Sequence, residues 1–224
     1  MNKLNFYEVD KEYISYLKNF EPKIPNISYS THDKFVCGVI LKIDNIKYFA
    51  PISSYKIPQR TNFIIRNENN TPISSIRFSY MFPSPDEAIK LKDFSNEEYR
   101  YRRLLMTELN YCNNNANQIY DKAKVVYNIG CNKDHYLNNL CCDFKLLEEK
   151  YRDYVNMLQI RQSQNEAAVS LQENFTMLEN KIRAGEYTPE DIEQYNRLQV
   201  DRLNNSIGSV KDDIKNLPNL EPEI

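Results

Sequence analysis

With only four glycines, two histidines and no tryptophan among 224 residues, the sequence lacks the material for several functional classes. Neither the glycine spacing of a P-loop nor that of a dinucleotide-binding turn occurs, so we expect neither kind of phosphate-cradling loop. No stretch approaches the roughly 18 apolar residues that a membrane-spanning helix needs. The first residues also lack the apolar run of a signal peptide. We therefore expect a cytoplasmic protein.

Metal ligands are equally sparse. The histidines, His32 and His135, lie in different parts of the chain, and the five cysteines show no CxxC spacing. Because zinc sites combine closely spaced ligands of these types, we expect no metal and no cofactor. An odd number of cysteines with an adjacent pair, Cys141 and Cys142, indicates free thiols in a reducing compartment.

Paired carboxylates for metal-assisted nuclease chemistry are missing from the predicted strand ends. Glu148 and Glu149 do adjoin each other, but they fall on a predicted helix beside Lys150. We expect both glutamates to lie on a solvated face of that helix.

The charge is distributed unevenly, although the net charge is only −2. Residues 1–80 carry 11 Lys/Arg against 7 Asp/Glu, whereas residues 156–224 carry 7 Lys/Arg against 12 Asp/Glu. Because the local field decides whether a polyanion binds, a basic front and an acidic tail are compatible with a nucleic-acid partner.

The first half of the chain has the pattern of an antiparallel sheet. Residues 35–43 are apolar and β-branched, Asp44-Asn45 is a turn signal, and residues 46–51 are typical of the return strand of a hairpin. Pro51 should end regular pairing, because proline has no backbone N–H. Further strands are predicted at residues 62–66, 75–82 and 88–92.

Helical periodicity marks the region after Asp10, a predicted N-cap, and most of the second half. Helices are predicted at residues 96–113, at 116–129, at 136–172 as one helix or two with a helical continuation over 175–184, and from Thr188-Pro189 onward. The order of elements predicts an α+β domain over residues 1–155, built on an antiparallel sheet surrounded by helices. A helical C-terminal extension, residues 156–224, would pack on that core or continue it.

Two polar clusters flank the predicted hairpin. Tyr29, His32 and Lys34 precede its first strand, and Ser53, Ser54 and Lys56 follow its second strand. In an antiparallel pair the start of one strand lies beside the end of the next, so the clusters should meet at one edge of the sheet. From the residues alone, a functional site and a pair of ordinary polar loops both remain open.

At Phe49–Lys56 (FAPISSYK) the chain resembles the ToxN/AbiQ family of endoribonuclease toxins from type III toxin–antitoxin systems. The likeness covers about residues 5–155. It differs mildly at Ser53-Ser54, where the family usually has Thr-Ser. Other segments agree in the same order: Phe6-Tyr7, residues 13–18 and 23–26, Lys34 with residues 38–41, and residues 76–83, 101–105 and 144–154.

The resemblance implies a MazF/Kid-like fold, that is, a compact, strongly twisted antiparallel sheet with an SH3-like barrel core surrounded by helices. It implies metal-independent, sequence-preferring RNA cleavage that leaves a 2′,3′-cyclic phosphate and a 5′-hydroxyl. The implied partners are substrate mRNA and a small antitoxin RNA of pseudoknotted repeats, which the toxin processes and then holds in an RNA-mediated assembly. Such systems act in phage defence by abortive infection.

On that hypothesis, Lys34 and Lys56 supply positive charge at the reacting phosphate, and Ser53 and Ser54 supply hydrogen-bond donors. Tyr29, His32 or a lysine of lowered pKa would move protons. RNA contacts are expected from Tyr13, Arg60, Arg66, Arg77, Arg100 and Arg103. For Tyr13 core packing is the alternative, and for the arginines at residues 100–103 it is a solvated helix face.

Two other functions remain open on the sequence. The chain could be a non-catalytic RNA-binding module on an SH3-like barrel, with the polar hairpin end as its ligand groove. It could also be a toxin of related fold that poisons a protein target such as gyrase. Cleavage of transcripts with cyclic-phosphate ends separates the first hypothesis from both alternatives.

Overall fold

A computed structural model describes residues 3–26 and 35–215, with side chains up to residue 202. The chain divides into two compact units, Met1–Asn156 and Met157–Ile224. Within the described residues, no helix is both long and apolar enough to cross a bilayer.

Unit 1 combines an antiparallel sheet with helices, so the expected mixture of the two element types is confirmed. The strands are β1 Asn5–Val9, β2 Val36–Ile43, β3 Ile46–Ser53, β4 Asn62–Arg66, β5 Pro72–Arg77, β6 Phe82–Pro83 and β7 Ile89–Leu91. The α-helices among the described residues are α1 Lys11–Lys18, α2 Tyr99–Asn114, α3 Ala116–Cys131, α4 Phe144–Ala184 and α5 Pro189–Lys215. The boundary between the units falls within α4.

The described strands form one open sheet of seven, in the order β4-β5-β3-β2-β1-β7, with β6 beside β3. The first of them, β1, is an element that the sequence pattern did not predict. It pairs with β2, as Phe6 with Cys37, and with β7, as Glu8 with Lys90. Partners distant in sequence therefore stabilise a segment whose own five residues give little local signal.

The hairpin of β2 and β3 organises the sheet. Asp44 and Asn45 both have positive φ, 46° and 67°, as a two-residue type I′ turn requires. β3 does not end at Pro51 as expected. It pairs with β2 up to Val36 opposite Pro51, and then continues beside β5 as far as Ser53 opposite Ser75. The missing N–H of proline thus coincides with a change of partner rather than with the end of the strand.

Three other predictions need correction. Residues 75–82 are not one strand, because a 3-10 turn at Phe78–Tyr80 separates β5 from β6. The helix predicted from residue 136 begins only at Phe144, as α4, and from there it runs unbroken to Ala184. Glu148 is not solvated, because the sheet and α3 cover it and leave 4% of it exposed.

Local capping signals were correct. Asp10 accepts hydrogen bonds from the backbone N–H groups of Glu12 and Tyr13 at the start of α1. The Thr188 hydroxyl accepts one from the Asp191 N–H, 3.2 Å away, at the start of α5. These interactions satisfy N–H groups that the first helical turn leaves unpaired.

Unit 2 has a much smaller interior among its described side chains. Leu178 is buried to 1% exposure, and Phe175 stacks on Tyr195 with ring centroids 4.9 Å apart. An ion pair joins Lys181 to Asp191 across 3.2 Å. These contacts hold α4 and α5 together near the turn at Gly185, which has a positive φ of 72°.

Candidate RNA-cleavage site

The loop that leaves β3 carries the predicted catalytic residues Ser53, Ser54 and Lys56. Ser53 is the last residue of the strand and is half-buried, whereas Ser54 and Lys56 are exposed. The Ser53 hydroxyl accepts a hydrogen bond from the N–H of Tyr55, 3.3 Å away. Ser53 thus shapes the turn, while Ser54 and Lys56 have no hydrogen bond or ion pair with the described residues.

Two polar residues from neighbouring strands hold this loop. The Ser75 hydroxyl on β5 donates to the carbonyl oxygen of Tyr55 at 2.6 Å. The Asn62 side chain, 4% exposed, accepts from the N–H of Gln59 at 2.8 Å and donates to the carbonyl oxygen of Ile57 at 2.9 Å. Buried side chain–backbone bonds of this kind make the loop a defined structure rather than a loose connection.

Cations and aromatic rings surround the loop. The Arg77 guanidinium lies 4.9 Å from the ring centroid of Tyr55 and 4.9 Å from that of Tyr80. Arg60, further along the loop, hydrogen-bonds the Tyr136 hydroxyl and lies 5.7 Å from its ring centroid. This surface can offer positive charge to a phosphate and flat rings to a base.

Tyr29, His32 and Lys34 lie outside the described residues. The hairpin register next to them is described, because the N–H of Ile52 donates to the carbonyl oxygen of Phe35 at 3.3 Å. Phe35 directly follows Lys34, and Ile52 directly precedes Ser53. The expectation that the two clusters adjoin stays a prediction.

The arginines predicted to contact RNA fall in three places. Arg60 and Arg77 belong to the loop region. Arg66 lies beside a cavity of about 600 Å³ between β4 and α2, and donates to the carbonyl oxygen of Asn70 at 2.8 Å. Arg100 and Arg103 are exposed on α2, where Arg103 lies 5.9 Å from the Tyr99 ring centroid.

Tyr13 occupies the core and not a surface that RNA could reach. It is 0% exposed, and its hydroxyl donates to the carbonyl oxygen of Pro83 at 2.7 Å. Burial raises the pKa of Tyr13 well above its ordinary value. Helical packing of α1 therefore accounts for Tyr13, and the expectation that its ring contacts RNA is corrected.

Tyr55, Ser75 and Tyr80 shape the loop region but were given no role from the sequence. A usable signal was present in β5, where Ser75 and Arg77 are polar at alternate positions and so share one side of the strand. Tyr55 and Tyr80 lie inside the segments that carry the family resemblance, yet nothing in the sequence shows that both meet Arg77.

The described residues contain no group of three His, Cys, Asp or Glu side chains that could hold a metal ion. All five cysteines are free thiols, and only Cys131 is partly exposed. Burial raises the pKa of the Cys141 thiol to about 11. At neutral pH that thiol stays protonated, which makes it a poor nucleophile.

Comparison with known proteins agrees with this architecture. Residues 5–152 match the family described as "Toxin ToxN, type III toxin-antitoxin system". The chain is 30% identical to Endoribonuclease ToxN of Pectobacterium atrosepticum over 163 residues, covering 67% of this chain and 94% of the relative. It is also 30% identical to Endoribonuclease AbiQ of Lactococcus lactis subsp. lactis over 161 residues, covering 66% and 87%.

Solved structures give the same picture. AbiQ, a lactococcal anti-phage endoribonuclease of a type III system, superposes with a TM-score of 0.63 at 29% identity, covering 69% of this chain and 99% of that one. A type III toxin that a non-coding RNA pseudoknot selectively inhibits superposes with a TM-score of 0.64 at 24% identity, covering 68% and 98%, and supports the fold. The chain belongs to the ToxN family of toxins from type III toxin–antitoxin systems.

Proposed function

We propose that this chain is an endoribonuclease toxin that cleaves RNA without a metal ion, by attack of the substrate 2′-hydroxyl on the adjacent phosphorus. The products are a 2′,3′-cyclic phosphate and a 5′-hydroxyl. One structural observation carries the proposal: a loop braced by Ser75 and Asn62 presents Ser54 and Lys56 to solvent at the end of β3. The relatives ToxN and AbiQ, which are endoribonucleases, indicate the reaction class.

The chemistry asks for positive charge and donors where negative charge develops on the phosphoryl oxygens. Lys56 would supply charge and Ser54 a hydroxyl donor, and Ser53 keeps the turn that separates them. Lys34 is proposed as a second cation, and Tyr29 and His32 as candidates for proton transfer. Oriented donors of this kind typically contribute about 10²–10³ in rate each.

We extend the proposal to the partners and the fold. The toxin would process and bind a repeated pseudoknot RNA in the cytoplasm, and the system would act in phage defence. The RNA phosphates would be contacted by Arg60, Arg66, Arg100 and Arg103. A MazF/Kid-like, SH3-like core would suit the path of β3, which pairs in turn with β2, β6 and β5. Affinity for the RNA should fall steeply with added salt.

The catalytic unit is proposed to be residues 1–155, with residues 156–224 as an appended helical region. Two observations support this. The family match ends at residue 152. Unit 1 ends at Asn156 and contains the large aromatic core, whereas the described part of unit 2 has few buried side chains.

The test uses purified protein, transcribed RNA and excess EDTA, together with a growth assay in bacteria. Lys56→Ala and Ser54→Ala should lower cleavage at least about 10²-fold and abolish growth arrest while the protein stays folded. Lys42→Ala, an exposed lysine at the far end of the same hairpin, is the matched control and should cleave normally. A chain ending at residue 155 should retain activity.

Each hypothesis predicts its own result. Binding of RNA without cleavage would favour the non-catalytic module, and growth arrest with intact transcripts would favour a protein target such as gyrase. Activity that disappears in EDTA and returns with magnesium would contradict the metal-independent reaction. Full activity of folded Lys56→Ala and Ser54→Ala proteins would remove this loop from the mechanism.

A further inference from the structure

Arg77, a half-buried cation at the end of β5, contacts two aromatic rings. Its guanidinium lies 4.9 Å from the ring centroids of both Tyr55 and Tyr80, well within the roughly 6 Å range of a cation–π contact. The two rings come from different elements, the loop after β3 and the 3-10 turn after β5. We call these three residues the Tyr55–Arg77–Tyr80 clamp.

Both tyrosines are placed independently of Arg77. The Ser75 hydroxyl holds the backbone of Tyr55, and the Gln59 amide donates to the Tyr55 hydroxyl at 3.2 Å. Tyr80 ends a 3-10 turn whose Phe78 and Ser79 are buried. The clamp is therefore preorganised, and little side-chain entropy remains to be lost when a ligand binds Arg77.

No acidic group in the described residues pairs with Arg77. Its Nε is buried and has no hydrogen-bond partner among them, and none of the ion pairs of the described chain includes it. The Nε of Arg102 is buried in the same way, and a buried Nε is out of a ligand's reach. What Arg77 can offer a ligand is therefore the pair of terminal NH₂ groups of its guanidinium. In this respect Arg77 differs from Lys92, whose charge is met by Glu8 at 3.1 Å and by Glu97 at 2.7 Å.

The geometry selects the kind of ligand that Arg77 could take. Guanidinium N–H groups all point outward in the plane of the group. Two rings within 4.9 Å of the guanidinium carbon take up space that a stacked nucleobase would need. A phosphate or carboxylate needs less room, and two of its oxygens match the fork of N–H groups at the guanidinium edge. Stacking of a nucleobase on Arg77 would compete with the tyrosines.

The position of Arg77 on β5 connects the clamp to the loop after β3, which carries Ser54 and Lys56. Ser75 and Arg77 are two residues apart on one strand and so share a side of the sheet, and Ser75 lies opposite Ser53. Tyr55 itself stands between Ser54 and Lys56 in the loop. A phosphate on Arg77 would therefore belong to a nucleotide beside the one that the loop acts on.

From these contacts we propose that the Tyr55–Arg77–Tyr80 clamp is a binding subsite for one backbone phosphate of single-stranded RNA, next to the cleaved nucleotide. This rests on the proposed function insofar as RNA is the ligand. The subsite holds the strand through its phosphate and reads no base. Removing it should weaken binding in the ground state and the transition state alike, which raises KM and leaves kcat almost unchanged.

The experiment measures binding of a 2′-O-methylated oligoribonucleotide, which lacks the attacking hydroxyl, across a range of salt concentrations. Each phosphate contact of a single strand contributes about 0.7 to the slope of log Kd against log salt. Arg77→Met keeps an unbranched side chain beside the rings but removes the charge. It should lower that slope by about 0.7, weaken binding about tenfold, and leave kcat on cleavable RNA within about twofold of the unchanged protein.

Arg152→Met is the control, because Arg152 is an exposed cation elsewhere in unit 1 and its loss should not move the slope. Arg77→Lys keeps the charge and loses the fork, so it should keep the slope yet bind several-fold more weakly. It also serves as the deciding variant if Arg77→Met does not fold. Unchanged affinity in Arg77→Lys, or in folded Arg77→Met, would overturn the subsite.

The proposed function fails separately. If the unchanged protein neither binds the oligonucleotide nor cleaves RNA, the endoribonuclease assignment is lost and the clamp loses its ligand. If that protein cleaves RNA and the Arg77 variants behave like it, only the clamp is lost. A fall in kcat with unchanged KM in Arg77→Met would contradict a flanking phosphate and place Arg77 at the reacting one.

Discussion

Two regions of unit 1 each bury a glutamate, and the two carboxyl groups behave in opposite ways. Glu148 on α4 accepts hydrogen bonds from Tyr48 at 2.9 Å, Tyr127 at 2.5 Å and Lys145 at 3.0 Å. Glu108 on α2 is 3% exposed and accepts no hydrogen bond of ordinary geometry from the described residues. The Ser74 hydroxyl lies near it but is itself without a hydrogen-bond partner among those residues. Burial is common to both, and the number of donors differs.

The pKa of each carboxyl group depends on how many hydrogen-bond donors surround it. Burial raises the pKa of Glu108 to about 7, and the Ser74 hydroxyl offsets only part of that rise. Burial also acts to raise the pKa of Glu148, but the hydrogen bonds from Tyr127, Lys145 and Tyr48 outweigh it and lower the pKa below the ordinary value. A buried carboxyl group is therefore charged or neutral at pH 7 according to its neighbours.

The comparison also bears on catalysis. A carboxyl group with a pKa near 7 is well suited to proton transfer. Glu108 is nevertheless a poor candidate, because it associates with Ser74, and successive side chains of a strand point to opposite sides of the sheet. Ser75, the next residue, donates to the backbone of the loop after β3. Glu108 thus lies on the other side of β5 and affects stability rather than chemistry.

The largest effect is expected from Glu148→Ala. The change leaves the buried Tyr48 hydroxyl, whose next acceptor is the Phe144 carbonyl oxygen at 3.5 Å, poorly satisfied. Glu148 is the acceptor of two buried tyrosine hydroxyls, those of Tyr48 and Tyr127, so its removal should cost about 4 kcal/mol of unfolding free energy. Urea denaturation at pH 7 measures it. Glu149→Ala, exposed and paired with Lys150 at 2.7 Å, should cost below about 0.5 kcal/mol, and equal losses would contradict the comparison.

A smaller effect, with a characteristic pH dependence, is expected from Glu108. Its pKa is about 7 in the folded state, above the roughly 4.3 of an unfolded glutamate, so the folded state holds the proton longer as the pH rises. The stabilisation from this proton is complete below about pH 4.3 and is lost on going to pH 7. The loss amounts to about 3 kcal/mol.

Glu108→Gln should remove that decline and make the protein more stable than the unchanged one at pH 8. The measurement is the unfolding free energy at several pH values between 4 and 8, with Glu149→Gln as the exposed control. A parallel pH dependence in the Glu108→Gln protein and the unchanged one would show that Glu108 titrates normally.

The smallest effect is expected from Tyr127→Phe, which removes one of the donors to Glu148. Loss of a hydrogen bond to a charged group should cost about 1.5 kcal/mol. Because the pKa of Glu148 should then rise, the loss relative to the unchanged protein should shrink as the pH falls below 4. Tyr99→Phe, at an exposed position, should change neither the unfolding free energy nor its dependence on pH. If Tyr127→Phe lost more unfolding free energy at low pH than at neutral pH, the Tyr127 hydroxyl would be raising the pKa of Glu148 and not lowering it.

Much of the fold could be predicted because the relevant signals are local. The Asp44-Asn45 turn between two apolar runs specified the hairpin, since few residue pairs tolerate positive φ. Asp10 and Thr188-Pro189 marked helix starts through their own hydrogen bonds and fixed φ. β1 escaped prediction because β2 and β7, distant in the chain, supply its partners.

The location of some candidate site residues was predictable in the same way, whereas their roles stay predictions. Ser53, Ser54 and Lys56 were placed at the end of a strand by the hairpin signal and given a function by the family resemblance. Tyr55, Ser75 and Arg77 acquire their arrangement only when β3 leaves β2 and pairs with β5. The expected RNA contact of Tyr13 was wrong because α1 turns that ring into the core.

The sequence by itself determined the turns, the caps, the hairpin and the chemical identity of the loop, because each depends on residues close together in the chain. Tertiary structure decided which glutamate is charged, which tyrosine is buried and which two rings lie beside Arg77. Those properties depend on desolvation and on hydrogen-bond donors from distant segments, and neither can be predicted from a short stretch of sequence.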